Sequence, residues 1–243
     1  MIGSLPLTIS DEPTRVPRIA GRYRHGPVPV IGLIGGIGAG KSEVAGILKE
    51  RGAVVIDADV VGHELLREPA VLGRIVDRFG PGVLTGGDRD GRSPATIDRR
   101  ALGAIVFGDH GARRDLESIV HPPMRARFLA AIEREQRRGH QPARLVVLDA
   151  AILLEAGWDD LCDQVVFVDA PRDERVGRAA RQRGWSAADF AAREQAQWPC
   201  QKKRPLADRV ITNDGGIDSL RLEVDRALTE LAGMSCPLIE ASH

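Results

Sequence analysis

Cysteine is scarce in this chain: Cys162, Cys200 and Cys236 are far apart, odd in number, and include no Cys-x-x-Cys. Neither a disulfide framework nor a zinc site is indicated, and a reducing, cytoplasmic location is the expectation. The histidines are scattered as well, with no i, i+4 ligand pair on a helical pattern. Long apolar runs are missing. The longest uncharged stretch, Gly26 to Gly40, is short and broken by Gly and Pro, so no membrane span is expected. Residues 1–27 mix Asp11, Glu12, Arg15, Arg18, Arg22 and Arg24 with prolines and lack the apolar segment of a secretory signal. They are expected to be a disordered leader. Excess charge is absent too: 34 Lys plus Arg balance 34 Asp plus Glu. No global field would draw the chain to nucleic acid or to an anionic membrane. Lysine itself is rare, at Lys41, Lys49, Lys202 and Lys203 against 30 Arg among the 34 basic residues. Asparagine occurs once, at Asn213.

At 243 residues with 43% apolar composition, the chain is long enough to bury a core without a staple. From Val28 onward, short apolar runs alternate with amphipathic ones. Val28–Ile34, Val54–Ile56, Leu145–Leu148, Val165–Val168 and Val210–Ile211 are expected strands. Helical patterns are expected over Lys41–Arg51, Val60–Arg67, Ala70–Phe79, Arg99–Phe107, Ala112–Arg138, Arg172–Arg183, Ala187–Gln197 and Ile217–Leu231. Such alternation predicts an α/β fold with a five-stranded parallel sheet flanked by helices. Residues 60–138 contain no good strand and are expected to be a helical insertion between two parts of the core, 28–59 and 139–235. Gly80–Pro94 is rich in turn residues and is expected to be an exposed loop.

Gly35-Gly36-Ile37-Gly38-Ala39-Gly40-Lys41-Ser42 fits G-x-x-x-x-G-K-[ST], between a strand pattern and a helical one. The spacing has a chemical reason. Glycines let successive backbone N–H groups turn inward around a phosphate, and the following helix presents its positive end to it. Lys41 would neutralise the outer phosphates and the Ser42 hydroxyl would ligate Mg²⁺. Residues Gly36, Ile37, Gly38, Ala39, Gly40, Lys41, Ser42 and Glu43 are therefore the candidate ATP-binding loop of a P-loop NTPase fold.

Two other strand ends carry carboxylates. Asp149 closes an apolar strand, where an Asp can hold the shell of a magnesium ion, or can cap a helix. Asp57 and Asp59 follow Val54–Ile56, and ligands are expected at the carboxyl ends of strands in an open α/β sheet. An Asp here could accept a proton from an attacking hydroxyl, or Asp59 could cap the helix from Val60. Arg172, Arg175, Arg178, Arg181 and Arg183 make either a solvated helix face or the guanidinium row of a lid over phosphates, with Gly184-Trp185-Ser186 as its hinge. A single Asn excludes the Asn-Lys-x-Asp element of GTP-binding switches. Small-molecule kinases are left as the leading class, with a nucleotide-binding module lacking turnover as the alternative.

Taken together these segments resemble the dephospho-CoA kinases, from Val30 to about Leu231. The residues carrying the resemblance are Ile31 to Ser42, Val55-Ile56-Asp57-Ala58-Asp59, His121-Pro122, Asp149 with Leu153-Leu154-Glu155, and a tail of Arg193, Gln197, Lys203, Ala207-Asp208, Asn213 and Gly215. The resemblance implies transfer of the ATP γ-phosphate to the ribose 3′-hydroxyl of dephospho-CoA. It implies Asp59 as base, Lys41 and Arg178 at the transferring phosphate, and substrate contacts from Asp57, His121 and Arg193. Mg²⁺ would rest on Ser42 and Asp149, under a lid at about 172–200. Two positions depart from the family pattern: Glu43 replaces a usual Thr, and Gln182 an expected Arg, with Arg181 and Arg183 beside it.

Overall fold

The computed structural model describes residues 23–86, 95–138 and 145–232. In chain order the strands are β1 (Val30–Gly35), β2 (Ala53–Asp57), the short β3 (Leu84–Thr85) and β4 (Thr96–Ile97), β5 (Leu145–Asp149), β6 (Gln164–Asp169) and β7 (Arg209–Thr212). The helices are α1 (Lys41–Glu50), α2 (Ala58–Leu65), α3 (Pro69–Phe79), α4 (Arg99–Gly108), α5 (His110–Gln136), α6 (Arg172–Arg183), α7 (Ala187–Gln195), α8 (Cys200–Lys203) and α9 (Ile217–Ala232).

Each of the five long strands falls on a run expected from the sequence, and they form one parallel sheet in the order β2-β5-β1-β6-β7. The pleat explains why both faces of these strands are apolar. Val30, Ile34, Val146, Leu148, Val165 and Phe167 pack on the face covered by Phe128, Ile132 and Trp158. Their neighbours Ile31, Leu33, Val147, Val166 and Val168 pack on the other, against Val44, Ile47 and Leu48 of α1 and Leu220 and Val224 of α9. A central β1 brings three carboxyl-edge turns side by side, those after β1, β5 and β2.

Residues 60–138 are mostly helical, with one correction. A two-stranded antiparallel hairpin pairs Leu84 with Ile97 and Thr85 with Thr96. It also corrects the expected exposed loop: the 3-10 turn Pro81–Val83 precedes β3, and Val83 is fully buried in the insertion's core. Positions 87–94 of that stretch lie outside the described residues. Helix α5 runs through Pro122 and Pro123 despite two missing N–H donors. The end of the expected leader is also held. Arg24 N–H donates to Asp163, and the Gln136 side-chain amide bonds both N–H and C=O of Val28. Residues 1–22 and Cys236 lie outside the described residues.

Candidate active site

The loop after β1 closes tightly on itself. Ala39 N–H donates to Gly36 O, and the amides of Glu43 and Val44 both reach Gly40 O, so α1 begins without a side-chain cap. The N–H groups at that helix end are left for a ligand. Glycine is required at two points for different reasons. Gly38 has φ +74°, and a Cβ there would stand 2.5 Å from the Arg175 backbone oxygen. At Gly40, φ is +91° and a Cβ would meet Asn213 Nδ2 at 2.1 Å. Neither place can accept a side chain without moving the wall behind the loop.

That wall is built from segments distant in sequence. Asn213, buried after β7, donates from Nδ2 to Ala39 O at 2.9 Å. Arg178 Nη2 donates to Asn213 O at 3.0 Å and its Nη1 to Ala39 O at 3.4 Å. Arg175, 6% exposed, lies over Gly36, reaches Ile37 O and pairs with Glu194 at 2.8 Å. Two arginines of the row expected on a lid are therefore docked on the phosphate loop, which a solvated helix face would not do. Glu43 is exposed, with a carboxylate oxygen against Gly40 on the side where Asn213 stands.

In front of the loop lie the carboxylates. Asp57 and Asp149 are register partners at the ends of β2 and β5, and Asp149 pairs with Leu33 of β1. The helix cap suggested for Asp59 belongs instead to Asp57, whose Oδ1 accepts from the amides of Asp59 and Val60 at 2.8 and 3.1 Å. Asp59 sits in the first turn of α2, exposed, with no hydrogen bond or ion pair to its carboxylate among the described residues. Burial, helped by the charges of Asp57 and Asp59, raises the Asp149 carboxyl to about 6 against the pull of Lys41. Lys41 is pushed down by burial and by the cations Lys203 and Arg183, while Asp149 and Asp59 oppose the shift. The site thus sets a desolvated ammonium against the Asp149 and Asp59 carboxylates, with Asp57 beside Asp149.

Among the described residues, no three His, Cys, Asp or Glu side chains converge on one metal position. A hydroxyl and a carboxylate at the loop, Ser42 and Asp149, are donors that suit Mg²⁺ delivered with a nucleotide, which takes one or two protein oxygens and fills its shell with phosphate and water. Ser42, exposed at the start of α1, and Asp149 are the residues that would hold it.

Behind β5 a buried ion pair joins the turn after β5 to α8. Lys203, 1% exposed, pairs with Glu155 Oε1 at 2.7 Å and donates to Ala151 O at 2.7 Å. The same Glu155 oxygen accepts from Trp198 N–H at 2.9 Å. Sequence reasoning placed Lys203 in a tail motif and had no means of pairing it with Glu155. Asn213 was likewise expected only as part of that tail, Arg175 only as one of the arginine row and Trp185 only as part of the hinge, without the contacts they make here.

Helix α6 ends at Gly184, whose φ is +66°, before α7. Ser186 and Asp189 form a reciprocal capping box that starts α7. Arg183 and Arg193 both lie over the Trp185 ring, at 4.8 and 4.2 Å. Arg183 is the arginine of this row whose charge acts on Lys41. Arg178, expected at the transferring phosphate, is here bonded to the loop's backbone. His121, half-buried on α5, meets Trp158 edge-on with centroids 5.0 Å apart, and burial lowers its pKa.

The dephospho-CoA kinase family model matches residues 29–219. A dephospho-CoA kinase of Symbiobacterium thermophilum is 42% identical over 205 residues, 84% of this chain and 82% of that protein. One from Anaeromyxobacter dehalogenans is 42% identical over 206 residues, 84% and 92% of the two chains. Among solved structures, TT1252 from Thermus thermophilus superposes with a TM-score of 0.70 at 33% identity, covering 85% of this chain and 98% of its own. The matched region contains the phosphate loop, the carboxylate strand ends and helices α1 to α8, and on these grounds the chain belongs to the dephospho-CoA kinase family.

Proposed function

We propose that this chain transfers the γ-phosphate of ATP to the ribose 3′-hydroxyl of dephospho-CoA, giving coenzyme A and ADP. The observation that carries the reading is the exposed Asp59 carboxylate, unbonded among the described residues, beside the Lys41 and Asp149 pair at the carboxyl edge of the sheet. The phosphate loop Gly36–Glu43 holds the ATP phosphates through backbone N–H groups. Asp59 takes the proton of the 3′-hydroxyl as that oxygen forms its bond to the γ-phosphorus and the bond to the bridging oxygen of ADP breaks. Lys41 holds the charge that gathers on the phosphoryl oxygens. Mg²⁺, held through Ser42 and Asp149, would supply further neutralisation of the phosphates. Arg178 keeps the loop's carbonyls turned away from the phosphates by binding Ala39 O, and Arg183 with Arg193 approaches from the lid. The insertion, residues 60–138 with His121, forms the acceptor side, and Asp57 serves mainly to start α2 where Asp59 can reach.

Among the described residues no helix is long and apolar enough to cross a membrane. A panel of hydroxyl acceptors with Mg-ATP tests the reading: dephospho-CoA should be consumed one for one with ATP, and turnover confined to a different acceptor would sink it.

A pH dependence follows from Asp149. Its carboxyl titrates at about 6 in the ligand-free chain, so below that pH a proton competes with the metal. At limiting Mg²⁺, kcat/KM should fall about tenfold per pH unit below 6, and added Mg²⁺ should move that acid limb to lower pH. An acid limb indifferent to Mg²⁺ would place the titrating group elsewhere. For stability the sign is opposite to that of a salt-bridged Asp. Its folded pKa lies above its usual 3.8, so this group's contribution is greatest below pH 3.8 and is lost as pH rises through about 6.

A further inference from the structure

Helices α6 and α7 are joined with no slack. Gly184 closes α6 with its N–H on Ala180 O, Ser186 opens α7 through its reciprocal cap with Asp189, and Trp185 is the single residue between them. A side chain in that place is fixed on both sides of its backbone. Its half-buried indole carries two guanidinium groups, one from each helix: Arg183 Cζ lies 4.8 Å and Arg193 Cζ 4.2 Å from the ring centroid. Both arginines are exposed. The Arg183 guanidinium makes no hydrogen bond or ion pair among the described residues, so the indole is what orients it. Beyond the ring, Arg193 is tied among the described residues only to Asp189 of its own helix, by Nη1 to Asp189 O at 3.2 Å and to Asp189 Oδ1 at 3.7 Å. Two cations gathered on one ring repel each other, and the negative face of the ring offsets part of that repulsion. Their remaining N–H donors suit a polyanion, which would remove the rest. Helix α6 is also fixed to the phosphate loop through Arg175 and Arg178, and the charge of its last residue, Arg183, acts on Lys41.

We propose that Trp185 is a positioning residue for phosphoryl transfer: its ring holds Arg183 and Arg193 together, so that the two guanidinium groups meet the transferring phosphate as one preset pair of donors. The inference rests on the functional reading above and deepens it. The indole itself touches no substrate and acts through the two arginines. Its contribution grows as charge gathers on the phosphoryl oxygens, so it belongs to kcat and not to the first binding of ATP.

Two variants separate cation binding from packing. Trp185→Phe keeps a negative ring face, whereas Trp185→Leu keeps apolar bulk without one. With dephospho-CoA and Mg-ATP, Trp185→Leu should lower kcat about tenfold and change the KM for ATP by less than about twofold, while Trp185→Phe stays within about threefold of wild type. Equal kcat in all three proteins, or equal loss in both variants, overturns the proposal. Whether the ring acts through the arginines is read in an Arg183→Gln, Arg193→Gln background, where adding Trp185→Leu should lower kcat by less than about twofold. An undiminished tenfold loss there overturns it. A further measurement keeps the wild-type side chains in place and does not depend on how Trp185→Leu folds. With 5-fluorotryptophan at Trp158, Trp185 and Trp198, the Trp185 fluorine resonance should shift when Mg-ADP is joined by aluminium fluoride, a mimic of the transferring phosphoryl group, beyond any shift with Mg-ADP alone. No additional shift overturns the proposal. Absent turnover of dephospho-CoA by the wild-type chain would instead strike the functional reading itself, and the fluorine shift, which needs no acceptor, still decides the role of Trp185.

Discussion

Asp59→Asn should lower kcat by about 10²- to 10⁴-fold, the range for removing a positioned general base, while leaving the KM for ATP close to wild type. The geometry supports a specific effect of this kind. The Asp59 carboxylate makes no bond among the described residues, its N–H to the Asp57 cap survives the substitution, and the cap of α2 belongs to Asp57. Asparagine keeps the size and can remain in the first turn of the helix, so the melting temperature should stay within about 1–2 °C of wild type, as for an exposed substitution away from structural features. Steady-state kinetics with both substrates varied, together with a thermal melt, separates this from a structural loss. A variant that lost ATP affinity and stability while retaining kcat would show that Asp59 is a scaffold residue.

Lys41→Ala should be at least as severe, with kcat/KM reduced about 10³-fold or more, because it removes a charge aimed at the phosphoryl oxygens from a desolvated site. Lys41→Arg should not restore activity. A guanidinium is a broad planar fork, whereas the slot beside Asp149 suits a compact ammonium. A further consequence can be read independently of turnover. Lys41 holds the Asp149 carboxyl down against burial and two neighbouring carboxylates, so its removal should raise that pKa above its present value of about 6. Titration of the Asp149 carboxyl by NMR in the ligand-free variant checks the sign, and a downward shift would mean that the two groups are not coupled as described.

These expectations draw on residues that were unequally visible in the sequence. The five long strands were legible because each is buried on both faces and therefore reads as an uninterrupted apolar run. The phosphate loop was legible because its chemistry demands glycines at set positions, and Gly38 and Gly40 do carry positive φ. By contrast, β3 and β4 are two residues long and too short to show any period. Which Asp of Asp57 and Asp59 caps α2 was not legible either, since residue type is the same and the answer depends on where the helix begins. The arginine row illustrates a stronger limit. Regular spacing cannot distinguish a solvated face from a docked one, and only the approach of α6 to Gly36 and Gly38 shows that Arg175 and Arg178 support the loop. The pairing of Lys203 with Glu155 is tertiary in the same sense.

Lysine scarcity acquires a physical meaning in this setting. Lys41 and Lys203 both occupy places where a point charge must fit a narrow space, one beside Asp149 and one buried at 1% exposure between Glu155 and Ala151. Arginine serves where a planar fork can span several acceptors, as Arg178 does across Ala39 O, Asn213 O and Asn213 Oδ1.

The central claim is the position to which phosphate is delivered, and phosphorus NMR of the product formed from dephospho-CoA and Mg-ATP reads it directly. The account predicts one new phosphomonoester, on the ribose 3′-oxygen, formed in equal amount to ADP and abolished in Lys41→Ala. ADP formed without a phosphorylated acceptor, or a phosphate on any other oxygen, would contradict it.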